Sequence, residues 1–189
     1  LLPAILVILL LNLPGGLSAQ IPSGYYNSAS GLTGEALKAA LYNIIKGHHA
    51  LSYDSVTIAL RVTDQDPNNP NNVICVYSGF SYAKNAFGNG SEEWNREHVW
   101  SQSHGNFGYV PVPGTDLHHL RPEDASVNSA KSNRDFDECS TPYTDPSGAT
   151  GCFTGTDRWE PRPAVKGDVA RMMFYMDTRY AGQSGEPDL

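Results

Sequence analysis

The apolar positions of this chain fall into blocks of different period, and each block predicts an element. The first thirteen residues, LLPAILVILLLNL, are almost wholly apolar, and no charge appears before Glu35. A run this short does not cross a bilayer core of about 30 Å as a helix, which takes roughly 20 residues. It fits the apolar stretch of a secretory signal, followed by a Pro14-Gly15-Gly16 break and a small-residue cleavage site at Leu17-Ser18-Ala19. Residues 1–19 are therefore expected to be a partial signal peptide, without initiator Met or basic flank, and the mature protein to start near residue 20.

Further on, Leu37, Ala40, Leu41, Ile44 and Ile45 recur at helical spacing. They predict a helix over 34–46 with Thr33 as N-cap and Gly47 beyond its end. Asp54 or Ser55 is expected to cap a shorter helix through Leu60. The stretch 64–72, DQDPNNPNN, reads as a loop, and 73–77, VICVY, as a strand. After a second loop at 84–92, strands are expected over Trp94–Trp100 and Thr115–Leu120, joined by an ordered Gly- and Pro-rich loop at 101–114. Pro122 fits the first turn of a helix over 122–133. A turn-rich loop is expected between Cys139 and Cys152. Val165, Val169, Met172, Met173, Met176 and Tyr180 mark the core face of a helix over 166–180, and the methionines read as packing. The pattern as a whole is α+β, with short strands and several helices in one domain.

Composition narrows the class. With 40% hydrophobic and 17% charged residues, 18 glycines and 13 prolines, the 189-residue chain is a loop-rich globular protein, not a coiled coil, a collagen or a disordered tail. A net charge of −7 argues against binding nucleic acid through a general positive field, but leaves room for a site that handles phosphate through a metal ion. Five of the thirteen basic residues lie between Arg158 and Arg179, interleaved with Asp157, Glu160, Asp168 and Asp177, which makes a mixed surface. Export implies an oxidising compartment, so Cys139 and Cys152 are expected to form a disulfide, with Cys75 left over.

Two segments hold the candidate chemistry. One is Asn95-Arg96-Glu97-His98-Val99-Trp100; the other starts at Asp116-Leu117-His118-His119-Leu120-Arg121-Pro122 and leads to Asn128, Lys131 and Asn133. Together they supply a base of near-neutral pKa, an anionic oxygen ligand and a neutral oxygen ligand. Each also has an ordinary reading: a half-buried His98, a Glu97 paired with Arg96, an Asn128 on a helix surface. Neighbours on a regular strand face opposite ways, so a site shared by Glu97 and His98 needs a bulge, a twist or a strand end there. For the same reason His118 and His119 do not readily chelate one ion; one is expected to support the site and the other to pack. Arg121 either pairs with Glu123 or Asp124, or holds a phosphate. His48 and His49, just past a helix end, are expected to meet its last carbonyls.

These two segments, with YYNSASGLTGEALKAAL before them and GDVARMMFYM after, in this order over about residues 25–180, resemble the bacterial secreted endonuclease I family of the His-Me finger type. The resemblance implies a ββα-metal core with additional helices, and a nuclease domain over 20–189 that is truncated at its C-terminal end. It implies that His98 is the general base and that Glu97 and Asn128 hold one divalent ion, Mg²⁺ in the first instance, with Mn²⁺ or Ca²⁺ as alternatives. Arg96, Arg121, His118, His119, Lys131 and Asn133 are then substrate-binding or supporting residues. The chain departs from the family pattern at Ser101, where Pro is frequent, and at Lys131, where Arg is common. The implied activity is largely sequence-independent hydrolysis of DNA and RNA to 5′-phosphate products, by a secreted monomer that touches backbone phosphates and no membrane. The rival reading is a secreted nucleic-acid-binding module of the same fold that has lost catalysis. An unrelated zinc hydrolase fits less well, because no H-E-x-x-H pattern is present.

Overall fold

Two apolar clusters with one strand pair between them organise the molecule. The computed structural model describes residues 21–109, 112–183 and 185–189, so the expected signal segment lies outside the described residues. The described part is α+β: five α-helices with sheets of three, two and four short strands.

Helix α1 (Gly34–Ile45) runs much as its periodicity predicts, and Gly47 follows it at φ +77°, a conformation that favours glycine. His48 does not meet the carbonyls of α1. Its Nδ1 accepts from Arg179 Nε at 3.2 Å, and its Nε2 lies 3.6 Å from Asp116, because partners from distant segments outcompete the helix end. Helix α2 (Tyr53–Thr63) starts earlier and ends later than expected. Ser52 is its cap, accepting the Ser55 N–H at 3.2 Å, so Asp54 and Ser55 sit inside the first turn.

The asparagine-rich stretch expected as a loop is a hairpin. Strands β1 (Gln65–Asp66) and β2 (Asn69–Ile74) pair around a turn in which Asp66 accepts the Asn68 N–H at 2.8 Å, and β3 (Ser81–Ala83) covers the other edge of β2. Partner strands on both sides override the poor strand propensity of Asn and Pro.

Strand β4 (Trp94–His98) pairs antiparallel with β5 (Leu120–Asp124), and the short α3 (Gln102–Gly105) lies in the connection. The expected strand at Thr115–Leu120 is instead a series of turns, and β5 begins where it was to end. Pro122 lies mid-strand opposite Arg96 rather than in a helix. A two-stranded sheet leaves an outer edge where a missing N–H costs little, and the Pro122 carbonyl accepts the Val76 N–H at 2.9 Å. Helix α4 (Ala125–Lys131) starts after Asp124, whose side chain accepts the Ser126 and Val127 N–H groups at 2.8 and 3.1 Å. That acidic cap, rather than the proline, decides where the helix begins.

The last sheet joins β6 (Asp135–Phe136), parallel to β9 (Arg158–Glu160), with the hairpin of β7 (Thr141–Asp145) and β8 (Gly148–Thr154). This hairpin replaces the expected loop and separates the cysteines. Cys152 pairs across with Tyr143, four residues along from Cys139, or about 13 Å of strand, beyond the roughly 7 Å that a disulfide spans. Accordingly Cys75, Cys139 and Cys152 are all free thiols, and the expected disulfide is not formed. Helix α5 (Lys166–Arg179) buries Val169, Met172 and Met176.

Val56, Leu60, Val73, Cys75, Trp94 and Leu120 form one cluster; Tyr77, Val99, Val127, Cys152, Trp159, Val169 and Met172 form the other. The β4–β5 pair contributes Trp94 and Leu120 to the first cluster and α4 contributes Val127 to the second, so this unit is held from two sides. Among the described residues, no helix is long and apolar enough to cross a membrane.

Candidate active site

The open face of the β4–β5–α4 unit forms a cleft of about 740 Å³. Arg96, Glu97 and His98 enter it from β4, Asn128 from α4, and Asn133 from the segment after α4. The β4–β5 register has no bulge: Glu97 is opposite Arg121 and His98 opposite Leu120. His98 is instead the last residue of the strand, so of the three routes to a shared cleft, the strand end is the one seen.

His98 is 8% exposed. Its Nε2 lies 3.1 Å from the Gly114 carbonyl and 3.2 Å from the Gln102 amide nitrogen. The carbonyl can only accept, whereas the Gln102 nitrogen already has the Gly108 carbonyl at 2.8 Å. Gly114 therefore sets the tautomer: Nε2 carries the proton, and Nδ1 is the free base. Burial, with His119 beside it, pushes the His98 pKa down to about 3, so the imidazole is neutral at physiological pH.

Glu97 is 3% exposed. Its Oε1 accepts the Tyr77 hydroxyl at 2.8 Å and lies 3.4 Å from Lys131 Nζ, leaving Oε2 without a side-chain donor among the described residues. Burial pushes the carboxyl pKa up, and Lys131 and Tyr77 pull it back. Lys131 is fully buried behind Glu97, donates to Ser101 Oγ at 2.8 Å, and is out of reach of a strand in the cleft. The two positions that depart from the family pattern, Ser101 and Lys131, thus touch each other. The Asn128 amide nitrogen gives its protons to Asn95 Oδ1 at 2.7 Å and the Arg96 carbonyl at 3.3 Å. Both partners accept only, which fixes the amide and leaves Asn128 Oδ1 without a donor among the described residues. Arg96 lies over the Tyr53 ring, 3.4 Å from its centroid, and donates to the Tyr53 carbonyl at 2.7 Å.

The other candidates lie outside the cleft lining. His119 is fully buried behind His98, with ring centroids 5.5 Å apart; its Nε2 meets the Pro113 carbonyl at 3.1 Å, and burial pushes its pKa down to about 4. His118 is exposed, stacks on Tyr175 and donates to Asp116 at 2.9 Å. Arg121 pairs with Asp64 at 2.9 Å, neither with Glu123 or Asp124 nor in the cleft; the end of α2 brings Asp64 beside β5. Tyr53, Tyr77, Gln102, Tyr109 and Gly114 escape a sequence reading. Each acts through a contact between segments distant in the chain or through a backbone carbonyl, and none sits in a motif.

The Endonuclease I family profile matches residues 33–186. The chain belongs to the endonuclease I family. It is similar to the extracellular ribonuclease of Bacillus subtilis (strain 168), at 55% identity over 165 residues, and to the extracellular ribonuclease of Bacillus amyloliquefaciens, at 56% over 165 residues. Each alignment covers 87% of this chain and 56% of the relative, so the chain spans little more than half the length of these two proteins. For this endonuclease I family member, residues 33–186 take in β4, β5, α4 and the whole cleft.

Proposed function

We propose that this chain is a secreted, divalent-metal-dependent endonuclease that hydrolyses phosphodiester bonds of RNA and DNA with little regard to sequence. The observation that carries this reading is a base with a fixed tautomer, His98, in one cleft with Glu97 and Asn128, whose Oε2 and Oδ1 have no donor side chain among the described residues. One anionic and one neutral oxygen suit a hard cation that keeps several of its waters. Among the described residues no three His, Cys, Asp or Glu side chains converge, so a zinc-type cage is not the better fit. Glu97 and Asn128 would hold Mg²⁺, with Mn²⁺ or Ca²⁺ as substitutes. Bound there, the ion would supply positive charge that offsets the negative charge building on the phosphate.

The residues of the chain do the rest. His98 Nδ1 takes the proton from the attacking water, while the Gly114 carbonyl keeps the ring in the tautomer that leaves Nδ1 free. Lys131 and Tyr77 hold Glu97 in place from behind, and Asn95 holds Asn128. The water oxygen bonds to phosphorus as the bond from phosphorus to the 3′-oxygen breaks, and the departing oxygen takes a proton from solvent water, so the products carry 5′-phosphate and 3′-hydroxyl ends. The strand pair and helix around the cleft are read as the ββα-metal core of the His-Me finger fold. That the two relatives are extracellular ribonucleases supports RNA as a substrate and export as the destination. Five amide and four serine side chains, all neutral, line the cleft, and hydrogen bonds from such groups to phosphate and sugar oxygens support contact with the backbone.

Incubating the protein from residue 20 onward with circular DNA and with RNA, with and without a chelator, tests this. Cleavage of both that stops on chelation and returns with Mg²⁺ is expected. Binding without cleavage at any metal concentration would leave the non-catalytic module as the better description.

A further inference from the structure

The cleft has two unlike walls. One carries Asn95, Asn128, Ser129, Ser132 and Asn133, all neutral and polar. The other is aromatic: Tyr53 and Tyr109 have ring centroids 4.6 Å apart, and those rings lie 6.0 and 6.1 Å from His98. Tyr53 is backed by the Arg96 guanidinium, and Phe87 lies on the far side of that guanidinium with its centroid at 5.1 Å. Tyr109 closes the row and is 60% exposed.

Among the described residues, Arg96 and Glu97 are the only Lys, Arg, Asp or Glu side chains lining this cleft. A protein that docks on duplex nucleic acid draws most of its affinity from Lys and Arg on the phosphates. Here a single, anchored arginine and a net charge of −7 cannot supply that. An exposed aromatic face next to the proposed base supplies affinity of another kind, because every nucleobase has a face that stacks on it. A base inside a duplex is covered on both faces by its neighbours, whereas a base in a single strand or loop is free to stack.

Resting on the nuclease reading above, we propose that Tyr109, supported by Tyr53 and Arg96, is a stacking subsite for the nucleobase next to the scissile phosphate, and that the enzyme accordingly prefers unpaired strands. The Tyr109 ring centroid lies 6.1 Å from that of His98, so a base stacked on the exposed ring is beside the proposed general base. The subsite reads no base identity, so the preference concerns strandedness and not sequence.

The test compares a labelled single-stranded oligonucleotide with the duplex of the same sequence. KM and kcat are measured on both for the wild type, Tyr109→Ala and Tyr109→Phe. Binding is measured separately by fluorescence anisotropy in the His98→Ala background, where strands are not consumed. The wild type is expected to favour the single strand by about tenfold in KM and in binding. Tyr109→Ala should bring the ratio of single strand to duplex close to one by raising the single-strand KM, and Tyr109→Phe should keep it. The ring is exposed, so an unchanged melting temperature verifies that Tyr109→Ala is folded. Equal affinity of the wild type for both forms, or equal losses on both in Tyr109→Ala, would overturn the subsite. A binding preference for the single strand, with no cleavage of either form by the wild type at any Mg²⁺ concentration, would instead overturn the nuclease reading and leave the subsite standing.

Discussion

Two buried carboxylates, Asp116 and Glu97, are each 3% exposed and differ in what surrounds their oxygens. On Asp116 every lone-pair direction is occupied. Oδ1 accepts the N–H and Nδ1–H of His118, both at 2.9 Å, and Oδ2 accepts the hydroxyls of Tyr175 at 3.0 Å and Tyr180 at 2.7 Å. Among the described residues, Glu97 has side-chain partners on Oε1 alone. Buried polar groups are costly unless satisfied, so a fully satisfied carboxylate marks a structural tie and a half-satisfied one at a cleft marks chemistry. Asp116 fastens the turn region that carries Gly114 to α5. Glu97 has one oxygen, Oε2, without a side-chain donor among the described residues, the one assigned to the metal in the proposed function.

That contrast is exposed to mutation, and the largest effect belongs to the residue that depends on both carboxylates. His98→Ala should lower the cleavage rate by about 10²–10⁴, measured in single-turnover assays, and added Mg²⁺ should not restore it, whereas imidazole should restore part. Asp116→Asn comes next, and its loss is in stability: about 3 kcal/mol in urea or thermal unfolding. Burial opposes ionisation of Asp116, but hydrogen bonds from His118 and Tyr180 outweigh it and hold the carboxyl below its ordinary range. A depressed carboxylate contributes stability that is complete above its unfolded value of about 3.9 and is lost as pH falls below it. The wild type should therefore lose stability on acidification through that range, and Asp116→Asn should lose less of it. Tyr77→Phe removes a partner of Glu97 without touching the cleft, and should weaken metal affinity and activity by about 10–100-fold. The smallest effect lies away from both carboxylates: Ser52→Ala, which deletes the α2 cap, should cost about 1 kcal/mol in unfolding and leave metal binding unchanged.

Much of this arrangement is legible in the sequence. The periodicity of 34–46 and 166–180 places α1 and α5 almost residue for residue, because single-face helices against a core obey a simple rule. The adjacency of Glu97 and His98 singles out a candidate site and calls for a bulge, a twist or a strand end there; both residues line one cleft, and His98 ends β4. Less legible are the features that depend on contacts between distant segments. Pro122 looks like a helix start until β4 is beside it, and Asp124 is a cap only because β5 ends there. The asparagines at 69–72 become a strand only between β1 and β3. Lys131 reads as either substrate-binding or supporting, and its burial against Glu97 and Ser101 leaves only the second. Tyr77, which shares Oε1 of Glu97, lies twenty residues upstream in a stretch with no chemical signature.

The most direct measurement is calorimetric titration of Mg²⁺ or Mn²⁺ into the wild type, Glu97→Gln, Asp116→Asn and His98→Ala, under conditions in which all four are folded. One divalent ion should bind the wild type, with affinity strongly reduced in Glu97→Gln and essentially kept in Asp116→Asn and His98→Ala. Unimpaired binding in Glu97→Gln, or weakened binding in His98→Ala that excess metal overcomes together with the lost activity, would contradict the assignment of Glu97 as ligand and His98 as base.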